Sequence, residues 1–191
     1  CDALNGYAAL DTNIKPLPVP GKKVEHIVGP ALTVFSGAAD VLGMSIALSE
    51  IQPGDIVVNG VSGFQGTAAV GDRIAGMIKN NGGIGLITDG PMRDLEGIIE
   101  TGLSCFCTGL NPNSPYNSGP AKIGYPTEIG NKTIHSGDII VADSDGVTVV
   151  PFNKIDEVIE KLDRITELEN AMDEKVKNLS LIHISEPTRR I

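Results

Sequence analysis

Three short apolar runs, DIVVNGV, IGLITDG and LSCFCTG, are separated by two segments of helical periodicity, DRIAGMIKNNGG and MRDLEGIIETG. Strands that alternate with helices must pair in parallel, because each crossover returns the chain to the same end of the sheet. The centre of this chain is therefore predicted to be an α/β unit, with Gly82-Gly83 stopping the first helix. In LSCFCTG, Cys105 and Cys107 should share one strand face and Phe106 the other. The third cysteine, Cys1, is far away in sequence and no histidine is near the C-x-C pair, so the pair reads as two small buried residues in a reducing compartment rather than a zinc site.

The flanks follow from local chemistry. CDALNGY resembles the tail of a helix closed by Gly6, and IKPLPVPGKK is a Pro-rich extended connector. HIVGPALTVF reads as a strand broken at Gly29-Pro30, and ADVLGMSIALSEI as a helix stopped by Pro53-Gly54. GLNPNSPYNSGPAK is a loop, a lid or an interface arm. Short strands then follow in IGYPTEI and NKTIHSGDIIVADSDGVTVVP, with a hairpin at Asp145-Gly146. In the last helix Ile155, Val158, Ile159, Leu162, Ile165 and Leu168 form an apolar stripe that should dock on the body or on another subunit.

With 191 residues, 41% of them hydrophobic and 20% charged, the chain suffices for one compact domain. A net charge of −9 argues against a nucleic-acid surface, and no run approaches the ~20 apolar residues of a membrane span. The terminal LSLIHISEPTR is similar to the translation of a transposon end used in sequencing libraries and is expected to be non-native. The start is expected to be truncated.

In α/β folds ligands gather beyond the carboxyl ends of the parallel strands. Two segments arrive there: Gly71-Asp72 opening one helix and Arg93-Asp94 opening the next. Free N–H groups at a helix start hold a carboxylate or phosphate, and glycine permits close approach. An arginine adds a planar clamp, and an aspartate can hold a hydrated hard cation. Together they suit chemistry on a 2-oxo acid, in which metal and Arg93 stabilise an enolate while Asp72 positions water or moves a proton. Each residue alone is also an ordinary helix-start residue, and an adjacent Arg-Asp pair is often a plain surface ion pair.

Asp72, twenty intervening residues and then Arg93-Asp94 resembles the D-x20-R-D signature of the RraA-like proteins. That family includes class II 4-hydroxy-4-methyl-2-oxoglutarate aldolases and regulators of ribonuclease activity. CDALNG, VGPALTV, QPGDIVVNG and SGDIIVADSDGVTVVP are similar to its other motifs, in the same order. The resemblance covers about residues 1–152 and implies a layered β/β/α sandwich like the swivelling phosphohistidine domain; with the tail 179–191 set aside, residues 1–178 are expected to form that one domain. It implies that Asp94 binds Mg²⁺ or Mn²⁺ largely through water and that Arg93 contacts the pyruvyl group. Asp72 would hold the water of proton transfer, and amides around Gly71, Asp72 and Arg73 would receive the substrate carboxylate. The implied activity is retro-aldol cleavage to pyruvate, with oxaloacetate decarboxylation alongside, in a cytoplasmic homotrimer or hexamer. The alternative is a non-catalytic regulator acting by protein–protein interaction. Two positions depart from the family pattern: Gly97 stands where aldolases often carry an acidic residue, and Ser136 replaces a proline.

Overall fold

The computed structural model describes residues 1–19, 21 and 23–177. The expected non-native tail, residues 179–191, lies outside them. Strand β1 (Lys15–Pro16) is followed by β2 (Ile27–Phe35), helix α1 (Leu42–Ala47), β3 (Ile56–Gly60), α2 (Asp72–Asn80), β4 (Gly85–Thr88), α3 (Leu95–Thr101) and β5 (Ser104–Cys107). Then come β6 (Lys122–Ile123), β7 (Thr127–Ile129), β8 (Lys132–Ile134), β9 (Ile139–Asp143), β10 (Gly146–Val150) and α4 (Ile155–Lys177). The β2–β3–β4–β5 block is parallel throughout, as strand–helix alternation requires.

The main sheet runs β1-β5-β4-β3-β2-β9-β10 and nearly closes on itself. Closure comes from the N-terminal segment. Its Ala8–Leu10 stretch pairs with β10, while Lys15 and Pro16 pair with Cys107 and Phe106 of β5. Residues at alternate positions feed two cores. Val57, Leu86, Cys105 and Cys107 face the layer of α1, α2 and α3, whereas Ile56, Val58, Ile87 and Phe106 face β7–β10. The Cys105/Cys107-versus-Phe106 alternation follows the strand period, and burial pushes both thiols up from their ordinary range.

Three local expectations are corrected. Gly29-Pro30 does not break β2: Ile27–Pro30 pair with β9 and Ala31–Phe35 with β3, so the dipeptide marks the change of partner within one strand. Gly29 is required there because a Cβ would run into the Gly54 carbonyl. Helix α1 stops at Ala47 instead of continuing to Ile51, and the chain start forms a single 3-10 turn, Asp2–Leu4. The hairpin at Asp145-Gly146 is present, with Asp143 Oδ1 accepting from the Asp145 N–H at 2.9 Å. In α4, Ile155, Val158 and Ile165 pack on Ala3 and Val150, while Ile159, Leu162 and Leu168 remain exposed. The stripe thus docks on the body along its first turns only.

Candidate active site

Beyond the carboxyl ends of β3, β4 and β5 the three connecting segments run side by side. Val70 pairs with Met92, and Met92 with Leu110. The Arg93 N–H donates to the Val70 carbonyl at 3.1 Å, and the Asn111 N–H to the Met92 carbonyl at 2.9 Å. Val70 and Met92 are buried anchors of this rung, 1% and 0% exposed. The residues just past them are therefore neighbours in space: Gly71-Asp72, Arg93-Asp94 and the loop after Asn111. The twenty-residue spacing corresponds to one helix, one strand and their turns, which brings the chain back one strand further along.

These segments surround a cleft of about 620 Å³ lined by Gly71, Asp72, Arg73, Arg93 and Asp94, with Val41, Val70, Ile74, Met77 and Pro115 as its less polar wall. All five residues singled out in the sequence lie on it. Arg93 Nε stands 3.3 Å from Asp94 Oδ2, and Arg93 Nη1 donates to the Ser114 hydroxyl. The Arg93 Nε is buried without a hydrogen-bond partner, so Asp94 holds it by charge alone.

Neither aspartate is a simple helix cap. Asp94 occupies the N-cap position of α3 but makes no side-chain capping bond, and its backbone is left-handed, φ 62° and ψ 48°. That conformation disfavours a non-glycine residue by roughly 1–2 kcal/mol. The Asp94 carboxylate is half exposed and available to the cleft. Asp72 is the first helical residue of α2 behind an N-cap at Gly71, and its Oδ1 accepts the Arg73 N–H at 2.7 Å. That amide is engaged by the Asp72 carboxylate.

Two glycines make the arrangement possible. A Cβ on Gly71 would stand 2.6 Å from Asp94 Oδ2 and 3.2 Å from Arg93 Cγ. A Cβ on Gly97 would stand 2.7 Å from both Cβ and Oδ2 of Asp72. Gly97 is thus the place where α3 closes directly against Asp72.

Sequence reasoning missed Ser114 and the wall residues. The NPNSP stretch announces a loop, yet nothing in it says which residue meets Arg93. That loop is not a free lid. Asn111 Nδ2 donates to the Gln65 carbonyl at 2.8 Å, Asn113 Nδ2 to the Gly66 carbonyl at 3.0 Å, and the Ala68 N–H to the Asn113 carbonyl at 2.9 Å.

Among the described residues, no group of three or more His, Cys, Asp and Glu side chains could hold a metal, and no helix is long and apolar enough to cross a membrane.

A family model described as RraA-like (Aldolase/RraA) matches residues 1–149. A protein of Halalkalibacterium halodurans named "Putative 4-hydroxy-4-methyl-2-oxoglutarate aldolase" is 36% identical over 160 residues, 84% of this chain and 74% of its own length. An uncharacterized protein from Pseudomonas syringae superposes with TM-score 0.79 at 26% identity, covering 93% of this chain and 82% of the other. Streptomyces coelicolor RraAS2, described as an unusual member of the RNase ES inhibitor RraA protein family, gives 0.77 at 27% identity, covering 88% and 85%. The family model spans most of the chain, the nearly closed sheet with its helix layer superposes on these solved structures, and the chain belongs to the RraA-like family.

Proposed function

We propose that this protein is a divalent-metal-dependent lyase cleaving 4-hydroxy-2-oxo acids of the 4-hydroxy-4-methyl-2-oxoglutarate type to pyruvate, with oxaloacetate decarboxylation through the same enolate. The observation that carries this reading is the Val70–Met92 rung, which sets Gly71-Asp72 beside Arg93-Asp94 on one cleft. The 36% identity to a protein named as an aldolase supports it.

The donor set suits a hydrated hard cation. Asp94 offers one carboxylate, 47% exposed and free of any capping bond, which matches an Mg²⁺ or Mn²⁺ that keeps most of its waters. Bound there, the ion supplies Lewis-acid stabilisation of negative charge at the 2-oxo group. The chain's own residues carry the remaining steps. First-turn amides of α2 receive the substrate carboxylate, and the Arg73 amide joins them as Asp72 exchanges it for a water. Asp72 takes the 4-hydroxyl proton through the water it holds, the C3–C4 bond breaks, and its electron pair becomes the C2=C3 bond of the pyruvate enolate while C4 leaves as a carbonyl. Arg93 stabilises the enolate oxygen, and the water at Asp72 returns a proton to C3. In oxaloacetate the same bond breaks with loss of CO₂.

A second reading is favoured by the likeness to RraAS2: a non-catalytic regulator of ribonuclease activity acting by protein–protein contact. Retention of Asp72, Arg93 and Asp94 together weighs for the enzyme. In either reading the working form is a trimer or pair of trimers in the cytoplasm. The test is pyruvate release from 4-hydroxy-4-methyl-2-oxoglutarate and from oxaloacetate with Mg²⁺, repeated with EDTA. Turnover abolished by chelation is expected. A folded, assembled protein that turns over neither substrate overturns the lyase, and inhibition of a ribonuclease by that protein would establish the regulator.

A further inference from the structure

The connection from β5 to β6, residues 108–121, is tied down by a carboxylate that does not line the cleft. Asp40, 3% exposed, precedes α1. Its Oδ1 accepts the Leu42 N–H at 2.8 Å and its Oδ2 the Ser118 N–H at 2.7 Å. Two backbone bonds lie beside it: the Tyr116 N–H donates to the Ala39 carbonyl at 2.7 Å, and the Val41 N–H to the Tyr116 carbonyl at 3.0 Å. Ala39 is left-handed, φ 56°, a conformation its side chain disfavours. This junction is therefore held by its hydrogen bonds and not by local preference.

The other end of the same strap reaches the site. Ser114, two residues before Tyr116, receives the Arg93 Nη1 hydrogen bond, and Pro115 lines the cleft beside Val41. Arg93 Nε has no hydrogen-bond partner, so the guanidinium is oriented by two contacts, the Asp94 charge on one side and the Ser114 hydroxyl on the other. An arginine must be held in place to stabilise a developing enolate, since an error of about 1 Å in such a group can reduce turnover by up to ~100-fold.

We infer that Asp40 is a positioning residue for Arg93: it anchors the strap that carries Ser114, and through Ser114 it sets the direction of the guanidinium. Asp40 touches neither substrate nor metal. The inference rests on the reading of Arg93 as the pyruvyl-binding group, and its test separates the two.

Asp40→Asn keeps shape and volume but turns an N–H₂ toward a backbone N–H. Ser114→Ala cuts the other end of the strap's link to Arg93. Both variants and their combination are assayed for pyruvate release with Mg²⁺ and for the Arg93 Nε–H signal in ¹⁵N NMR, assigned by its loss in Arg93→Lys. Each single variant should lower kcat roughly tenfold, with the double variant no worse than the singles because both act along one path. Each should also shift or broaden the Arg93 signal. An Arg93 signal unmoved by Asp40→Asn overturns the inference whatever the activity, as does a double variant whose losses multiply. If the parent protein releases no pyruvate while the signal still responds to both variants, the lyase reading fails and the positioning role stands. Should Asp40→Asn not fold, Asp40→Ser takes its place with the same expectations, since its shorter side chain can still accept from the Leu42 N–H but gives up the Ser118 link that ties the strap.

Discussion

Gly71 lies so close to Asp94 that a Cβ on the glycine would stand 2.6 Å from the Oδ2 of the aspartate. The Gly71 backbone, φ −125° and ψ −168°, is extended and accepts any residue, so the constraint there is space alone. Gly71→Ala should therefore fold normally and displace the Asp94 carboxylate and the Arg93 stem. The expected result is a fall in kcat/KM of about tenfold or more, with a thermal midpoint within a few degrees of the parent. Unchanged kcat/KM would mean that Asp94 moves aside at no cost to function.

Asp94→Ala should abolish Mg²⁺-dependent pyruvate release. It should also relieve a left-handed aspartate's side chain of its ion pair without disturbing the core, because the carboxylate is half exposed. Calorimetric titration with Mg²⁺ or Mn²⁺ gives the direct readout: binding to the parent and none to the variant. Equal metal binding by the two proteins would remove Asp94 from the metal site.

Arg93→Ala should lower kcat as well as raise KM, since a contact to the enolate strengthens as negative charge develops. A loss of ~2–4 kcal/mol in transition-state stabilisation, read from kcat/KM, is the scale for one preorganised donor. A pure KM effect would make Arg93 a docking residue only.

Gly97→Ala places a methyl group 2.7 Å from the Asp72 Cβ, where the obstacle is a side-chain root and not a flexible end. Helices α2 and α3 must separate slightly, with an expected destabilisation of about 1–3 kcal/mol by chemical denaturation. An unchanged denaturation midpoint would show that the two helices are not locked at this contact.

Acid should loosen the strap over the site. Burial alone would raise the Asp40 pKa, but the N–H groups of Ser118, Leu42, Gly119 and Val41 outweigh it and hold the carboxyl below its ordinary value of 3.8. A depressed folded-state pKa contributes stability that is complete above the unfolded value and is lost as pH falls through the folded one. Between about pH 4 and lower values the parent should lose stability more steeply than Asp40→Asn, as measured by denaturant midpoints across that range. Parallel curves would show that the Asp40 carboxylate makes no net contribution.

Much of the fold is legible in the chain. The strand–helix alternation, the stop at Gly82-Gly83 and the division of Cys105 and Cys107 from Phe106 are consequences of local periodicity, and each is present in the structure. The meeting of the candidate site residues is legible for a related reason. Residues at the ends of successive parallel strands must emerge on the same side, so Gly71-Asp72 and Arg93-Asp94 are brought to one edge by topology.

What periodicity cannot express is which distant segments meet. Gly29-Pro30 looks like a break, and only the arrival of β9 on one edge and β3 on the other makes it the middle of one strand. The closure of the sheet by residues 8–16, the meeting of Arg93 with Ser114 and the anchoring of that strap by Asp40 all depend on contacts between residues far apart in sequence. Local propensity specifies the elements because neighbouring residues share their dihedral and burial preferences. The orientation of a side chain such as that of Arg93 is set by whatever packs against it, and that is a property of the folded molecule alone.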